Sequence, residues 1–164
     1  MKALFIGGIK SGKSRLAEHY TLNISPKKPI YLATNEFFDE EMHKKVQKHK
    51  EQRAENFITL EEPLELHKAL KESKGAVLIE CVSMWINNML YHKKSHQEIF
   101  AQVEQLLQEE RDIVFVINDV SRSVVSEHKL VREFVELNGK VAQQIAAAAE
   151  HVFLVNAGIE TKIK

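Results

Sequence analysis

A glycine-rich stretch near the start of the chain has the residue types and spacing of a phosphate-binding loop. It has the pattern G-x-x-x-x-G-K-S and consists of Gly7, Gly8, Ile9, Lys10, Ser11, Gly12, Lys13 and Ser14. Its glycines let the backbone turn where a side chain would clash, so successive N–H groups can point at one anion. The Lys13 ammonium can reach the β- and γ-phosphates, and the Ser14 hydroxyl can ligate Mg²⁺. The stretch therefore predicts binding of a nucleoside triphosphate with Mg²⁺.

Polar residues that follow apolar runs are the next candidates, because ligands of open α/β sheets bind at the carboxyl ends of the strands. Glu80 ends the apolar run 76–80 and occupies the Walker-B position. We predict that it holds Mg²⁺ or its water shell together with Ser14. Other polar residues at such ends are Thr34, Asn35, Glu36, Glu61, Asn118 and Asp119.

Histidine could supply a nucleophile beside a triphosphate. The chain has 8 histidines, most of them in charged stretches typical of solvated surface. His43 and His49 do not share one helical face at their spacing, so a zinc pair is not predicted. An imidazole near the triphosphate could instead attack the α-phosphorus and hold the nucleotidyl group as a phosphoramidate. The neighbouring Lys48, Lys50 and Arg53 would stabilise the added charge and the departing pyrophosphate.

The elements that must position these residues alternate between strand and helix. Short apolar runs predict strands at residues 3–6, 30–33, 57–60, 76–80, 113–117 and 152–155. Helical patterns cover residues 15–22, 36–53, a stretch with Pro63 in its first turn, 84–91, 97–110 and 127–150, the last with a break near 138–139. This alternation predicts an α/β fold, a P-loop NTPase-like three-layer sandwich with a mostly parallel sheet. Residues 159–163 could add an antiparallel edge strand at the C-terminus.

Length and composition narrow the class of protein. The 164 residues, without linker or repeat, predict a single domain over residues 1–164. Lys+Arg and Asp+Glu are equal at 23 each, which argues against nucleic acid or an anionic membrane as the main partner. The single cysteine, Cys81, excludes an internal disulfide framework and fits a reducing compartment. With no signal peptide or membrane-length apolar run, a cytoplasmic location is expected.

The whole chain resembles the bifunctional adenosylcobinamide kinase / adenosylcobinamide-phosphate guanylyltransferase family of cobalamin assembly. The resemblance rests on an ordered set of short stretches along nearly the full length. They are residues 7–18, 31–34, 39–42, 49–53, 59–63, 78–81, 118–120, 146–150, 158–159 and 162–164. Together these stretches are more specific than the phosphate-binding loop alone.

The resemblance implies a two-step activity. The family phosphorylates the aminopropanol hydroxyl of adenosylcobinamide with ATP or GTP. GTP then guanylylates a histidine, which corresponds to His49, and the GMP passes to adenosylcobinamide phosphate. The implied nucleotide contacts are the phosphate-binding loop and Thr34, Asn35, Glu36, Lys50, Glu51, Gln52, Arg53, Glu61 and Glu80. A corrinoid substrate, Mg²⁺ and a homotrimer are also implied.

The sequence departs from the family pattern at several positions that bear on corrinoid binding. Lys48 occupies the position of a second histidine in the family, and Gln52 occupies the position of a glycine. The stretch 121–126 replaces a loop with glycine and proline, and Lys140 and Ala142 replace an arginine and an asparagine. Two alternatives therefore stay open: another small P-loop kinase, for which His49 would be dispensable, and a non-catalytic nucleotide-binding relative of the enzyme.

Overall fold

Strands and helices alternate along the chain in the computed structural model, which describes residues 1–36, 55–121 and 124–164. The strands are β1 (Lys2–Gly7), β2 (Ile30–Ala33), β3 (Ile58–Glu61), β4 (Val77–Glu80), β5 (Ile113–Asn118), β6 (His151–Asn156) and β7 (Ile159–Lys162). The helices in the described ranges are α1 (Lys13–Ile24), α2 (Leu66–Leu70), α3 (Val82–Tyr91), α4 (His96–Gln108) and α5 (Lys129–Ala148).

These strands form a seven-stranded sheet in the order β3-β2-β4-β5-β1-β6-β7. Within the described ranges the neighbouring strands are parallel, except that β7 runs antiparallel to β6. Because parallel strands end on the same side, the carboxyl ends of β1, β2, β4 and β5 meet at one rim of the sheet. The predicted α/β fold with a mostly parallel sheet and an antiparallel C-terminal edge strand is confirmed.

Apolar side chains from both faces of the sheet pack against helices. On one face, Leu4 and Ile79 belong to a core with side chains of α2, α3, α4 and α5, among them Trp85. On the other face, Phe5 packs in a second core with Ala17 of α1. Consecutive strand residues enter different cores because side chains alternate along a strand, and burial on both faces explains the uninterrupted apolar runs. None of the described helices combines the length and apolarity needed to cross a bilayer.

Helix α2 begins at Leu66, later than the predicted start around Pro63. The Pro63 carbonyl accepts a hydrogen bond from Asn88 Nδ2 at 3.2 Å, and the Leu64 carbonyl accepts one from Trp85 Nε1 at 2.9 Å. These carbonyls bond to side chains of α3 and not to helical N–H groups. Tertiary contacts that the local sequence does not encode therefore shorten the helix.

Helix α5 is continuous at Asn138 and Gly139, where the sequence indicates a break. Asn138 is only 3% exposed, and its carboxamide bonds to Ser83 on one side and to the Asn118 backbone on the other. These bonds and the burial of the neighbouring Val141 offset the low helix propensity of asparagine followed by glycine. The predicted interruption is absent for this reason.

Candidate functional site

The phosphate-binding loop leads from β1 into α1 with the geometry of an anion cradle. Gly12 has φ of 94° and precedes Lys13, the first residue of the helix. Lys10 also has a positive φ, 61°. Within the described ranges, no side-chain hydrogen bond caps the N-terminus of α1 at Gly12. The first N–H groups of the helix are consequently available to an anionic ligand, whose charge the helix dipole would stabilise.

The turn between β6 and β7 packs against this loop and is hydrogen-bonded to it. The Gly158 N–H donates to the Ser11 carbonyl at 2.7 Å. A Cβ atom on Gly12 would lie 3.1 Å from the Gly158 Cα, and one on Gly7 would lie 2.5 Å from the Val155 carbonyl oxygen. Backbone meets backbone at both places, so the loop conformation depends on glycine there.

The charged side chains of the site come together where β1 and β4 end. Lys13 is 7% exposed, and its Nζ donates to the Gly8 carbonyl at 3.2 Å. The Ser14 hydroxyl donates to Glu80 Oε1 at 2.7 Å, although the two residues are far apart in sequence. A hydroxyl and a carboxylate oxygen at the mouth of a phosphate-binding loop are the hard donors that Mg²⁺ prefers alongside phosphate oxygens and water. The predicted pair thus fits that ion.

A metal site made of three or more protein side chains is not found in the described ranges. No group of three or more histidine, cysteine, aspartate or glutamate side chains there could hold a metal ion.

A cleft of about 380 Å³ opens in front of the loop. It is lined by the predicted site residues Ile9, Lys10, Lys13, Asn35 and Glu80, and by Cys81, Ser83, Met84, Asn87, Asn118 and Phe134. The sequence predicted Asn118 as a polar strand end and as part of the family-resembling stretch 118–120, whereas nothing in the sequence indicated the lining side chains from α3 and α5. Their place in the cleft depends on how the helices pack on the sheet.

Cys81 lines this cleft but is poorly suited to act as a nucleophile. Burial raises the pKa of its thiol above the usual value, and the neighbouring Glu80 carboxylate raises that pKa further. Hydrogen bonds from backbone N–H groups and the Lys13 charge oppose the shift only in part. The thiol is therefore protonated at neutral pH, and the thiolate is the reactive form.

Thr34 lies at the end of β2, fully buried, and fixes the backbone next to Glu80. Its hydroxyl donates to the Cys81 carbonyl at 2.9 Å and accepts from the Cys81 N–H at 2.9 Å. Asn88 of α3 in turn donates to the Thr34 carbonyl at 2.7 Å. The Thr34 side chain thus holds β2 against the junction of β4 and α3, and its contact with nucleotide stays a prediction.

The remaining predicted site residues lie away from the cleft or outside the described residues. Glu36 follows β2, and both its carboxylate oxygens lie 2.9 Å from His92 Nε2. Glu61 ends the edge strand β3, which is separated from β1 by the three strands β2, β4 and β5. The residues that fall outside the described ranges are His49, Lys50, Glu51, Gln52 and Arg53. Their roles stay predictions.

Comparison with known proteins gives consistent full-length matches. The family model described as cobinamide kinase / cobinamide phosphate guanyltransferase matches residues 3–163. The bifunctional adenosylcobalamin biosynthesis protein CobU of Escherichia coli is 33% identical, with 100% of each chain covered. The bifunctional adenosylcobalamin biosynthesis protein CobP of Pseudomonas aeruginosa is also 33% identical, covering 100% of this chain and 98% of its own.

Solved structures with little sequence similarity share the fold. A KaiC-like protein of Pyrococcus horikoshii superposes with a TM-score of 0.53 at 11% identity, covering 93% of this chain and 69% of that one. The flagellar accessory protein FlaH of Methanocaldococcus jannaschii gives a TM-score of 0.51 at 13% identity, covering 99% and 77%. At such identities the likeness shows the fold alone.

Proposed function

The chain belongs to the cobinamide kinase / cobinamide phosphate guanyltransferase family, and on that basis we propose that it carries out both reactions on a corrinoid. It phosphorylates adenosylcobinamide with ATP or GTP and then transfers GMP from GTP to adenosylcobinamide phosphate, giving adenosylcobinamide-GDP. The observation that carries the proposal is the phosphate cradle with Glu80 bonded to Ser14 at its mouth.

In the first reaction the alcohol oxygen of the substrate attacks the γ-phosphorus. The new O–P bond forms as the bond from that phosphorus to the bridging oxygen breaks, the nucleoside diphosphate leaves, and the hydroxyl proton is released. Backbone N–H groups of the loop and the Lys13 ammonium hold the phosphates and stabilise the charge that develops on them. When bound, Mg²⁺ would neutralise phosphate charge, with Ser14 and Glu80 as the residues that hold it.

In the second reaction an imidazole nitrogen of His49 attacks the α-phosphorus of GTP. A P–N bond forms, the bond to the bridging oxygen breaks, and pyrophosphate leaves. A phosphate oxygen of adenosylcobinamide phosphate then attacks the same phosphorus, which breaks the P–N bond and restores the imidazole. The loop would hold the departing pyrophosphate, and the cations Lys50 and Arg53 would stabilise its charge.

The position of Glu61 supports an extended nucleotide. The sheet order places β3 four strand spacings from β1, which is about 19 Å at ~4.8 Å per spacing. A nucleotide anchored in the loop would pass the ends of β4 and β2, where Glu80, Asn35 and Glu36 lie, before its base reaches Glu61. Family resemblance further supports a homotrimer, and the length and composition of the chain support a single domain in the cytoplasm.

Covalent labelling tests the proposal. We expect incubation with α-labelled GTP and Mg²⁺, followed by denaturation, to leave acid-labile, alkali-stable label on the protein. His49→Asn removes the nucleophile and should abolish the label. His43→Asn is the matched control, because it changes the same residue type nearby in sequence, and it should retain the label.

Two outcomes would contradict parts of the proposal. Label that persists in His49→Asn would show that another residue is the nucleophile. Absence of label in the unchanged protein, with γ-phosphate still transferred to adenosylcobinamide, would leave a kinase without guanylyl transfer.

A further inference from the structure

Two buried polar side chains from different helices hold the carboxyl end of β5. The Asn118 N–H donates to Ser83 Oγ of α3 at 2.9 Å, and the Asn118 carbonyl accepts from Asn138 Nδ2 of α5 at 3.0 Å. Ser83 Oγ donates to Asn138 Oδ1 at 2.7 Å and closes the network. Ser83 and Asn138 are each 3% exposed, so both are polar groups kept inside the molecule by these bonds.

The sheet itself does not provide these bonds. Strand β4 pairs with β5 only as far as the register pair Ile79–Phe115, whereas β5 continues to Asn118. Beyond Phe115, the edge of β5 that faces β4 has no strand partner among the residues that the structure describes. The side chains of Ser83 and Asn138 bond to the backbone there in place of a neighbouring strand, and they thereby fix the backbone of Asn118 at the cleft.

The side chain of Asn118 is left available by this arrangement. It lines the cleft, and within the described part of the chain its carboxamide makes no hydrogen bond. The Asn118 N–H and carbonyl are both hydrogen-bonded, while the side chain retains two donor hydrogens and an acceptor oxygen. A rigidly held residue with a free carboxamide suits recognition of a ligand group of fixed geometry.

The residues that line the cleft differ in charge according to their element. Lys10, Lys13 and Glu80 come from the phosphate-binding loop and β4, whereas α3, β5 and α5 contribute the uncharged Met84, Asn87, Asn118 and Phe134. Asn118 pairs with Gly7 in the register of β5 and β1, so it lies next to the loop where the phosphates would bind. Apolar surface and carboxamides beside the phosphates suit a neutral group that must approach the γ-phosphorus from outside the loop.

We propose that Asn118 is a specificity-determining contact for the acceptor substrate, and that Ser83 and Asn138 are its positioning residues. This inference rests on the proposed function, in which the acceptor hydroxyl belongs to an aminopropanol group. A carboxamide can accept a hydrogen bond from an N–H of that group and donate one to a nearby carbonyl oxygen, which places the neighbouring hydroxyl towards the phosphates.

The first test is Asn118→Ala, with kinase turnover measured as a function of adenosylcobinamide and of ATP. Loss of one or two hydrogen bonds to neutral groups should raise the KM for adenosylcobinamide about 3- to 10-fold. The affinity for ATP should stay within about twofold, because the N–H groups of the loop and the Lys13 ammonium dominate phosphate binding. An unchanged KM for adenosylcobinamide, or a rise in the KM for ATP alone, would overturn the inference.

The second test addresses the positioning residues. Ser83→Ala should raise the KM for adenosylcobinamide in the unchanged background but by less than about twofold in the Asn118→Ala background, because it acts through Asn118. Equal rises in both backgrounds would overturn the positioning role. Thr21→Val is the matched control: it removes a fully buried hydroxyl, bonded to the Ala17 carbonyl, on the other face of the sheet. It should lower stability without changing that KM.

Failure of the proposed function and failure of this inference would give different kinetic results. If the unchanged protein does not phosphorylate adenosylcobinamide, the proposed function fails and this inference fails with it. If the unchanged protein does so and Asn118→Ala behaves identically, only this inference fails. Asn118→Ala removes no bond of the buried network, so the variant should fold even where Ser83→Ala does not.

Discussion

At the scale of single residues, the candidate site is held ready by contacts within the chain. Lys13 donates to the Gly8 carbonyl, and Ser14 donates to Glu80, so the groups that would meet phosphate and metal already face the mouth of the loop. Little reorganisation is then needed when charge develops on a bound phosphate. The glycine at the end of β1 makes this arrangement possible, because Gly7 has no room for a side chain.

Substitution of the two adjacent glycines should show whether stability depends on the space available for a Cβ atom or only on the loss of a glycine. In Gly7→Ala the new Cβ would lie 2.5 Å from the Val155 carbonyl oxygen, a backbone atom of β6 that cannot move freely. We expect a loss of about 1–3 kcal/mol in the free energy of unfolding, measured by urea denaturation. Gly8→Ala is the control, because a Cβ there meets nothing within 4 Å. Equal stability of the two variants would contradict the close packing of Gly7 against the Val155 backbone.

At the scale of elements, α4 contributes to stability without taking part in the site. It buries Ile99, Val103 and Leu106 in the core and does not line the cleft. Its first turn has a capping box, in which Ser95 accepts from the Glu98 N–H and Glu98 accepts from the Ser95 N–H. The helix therefore offers a place to change stability and leave the candidate chemistry intact.

Ser95→Ala should destabilise the protein by about 1 kcal/mol, because the first turn of α4 loses its cap. For a chain of this size that corresponds to a fall in Tm of roughly 2–4 °C. Ser95→Thr keeps the hydroxyl and serves as the control. Kinase turnover below the melting range should be the same in all three proteins, and a selective loss of turnover in Ser95→Ala would contradict the separation of α4 from the site.

The capping box also has a pH dependence with a definite sign. Hydrogen bonds from the Ser95 backbone and hydroxyl, and then the Lys94 charge, lower the pKa of Glu98 below its ordinary value of 4.5. A carboxyl with a lowered pKa in the folded state stabilises the fold above its unfolded pKa, and this contribution is lost as the pH falls through the folded value. The stability difference between the unchanged protein and Ser95→Ala should therefore shrink below pH 4.5.

At the scale of the whole molecule, opposite ends of the sheet have different roles. The amino end is tied by charged groups: Lys2 Nζ donates to the carbonyls of Glu109 and Arg111 at 2.6 and 2.9 Å, and the Met1 ammonium pairs with Asp112 at 2.9 Å. The carboxyl end presents the phosphate-binding loop, Glu80 and the cleft. The charged contacts are thus placed away from the surface that must bind a ligand, whereas uncharged polar side chains fix the strands next to that surface.

Nucleotide binding should therefore stabilise the whole fold through the carboxyl end. A ligand at 100 times its Kd adds about 2.7 kcal/mol, which corresponds to a rise in Tm of roughly 5–10 °C for this chain length. We expect this shift with MgATP or MgGTP in thermal denaturation. Lys13→Ala should abolish the shift, whereas Lys68→Ala, in the short helix α2, should keep it. An undiminished shift in Lys13→Ala would refute the assignment of the loop.

Local patterns were sufficient for most elements and for the loop. Strand β2 was predicted with its observed bounds, because an apolar run of that length between turn residues has few alternatives. The phosphate-binding loop could be read directly, since its residues are consecutive. Errors arose where distant groups decide the local structure, as at Pro63 and at the expected break in α5.

The candidate site also combines features that local sequence specifies with features that distant contacts decide. The sequence by itself determined that the chain has a phosphate-binding loop and an α/β sheet to carry it, because both follow from neighbours along the chain. Only the tertiary structure decided that Ser14 bonds to Glu80 and that Ser83 and Asn138 hold Asn118 at the cleft. These contacts join residues from separate strands and helices, and no periodicity or spacing along the chain specifies which of them will meet.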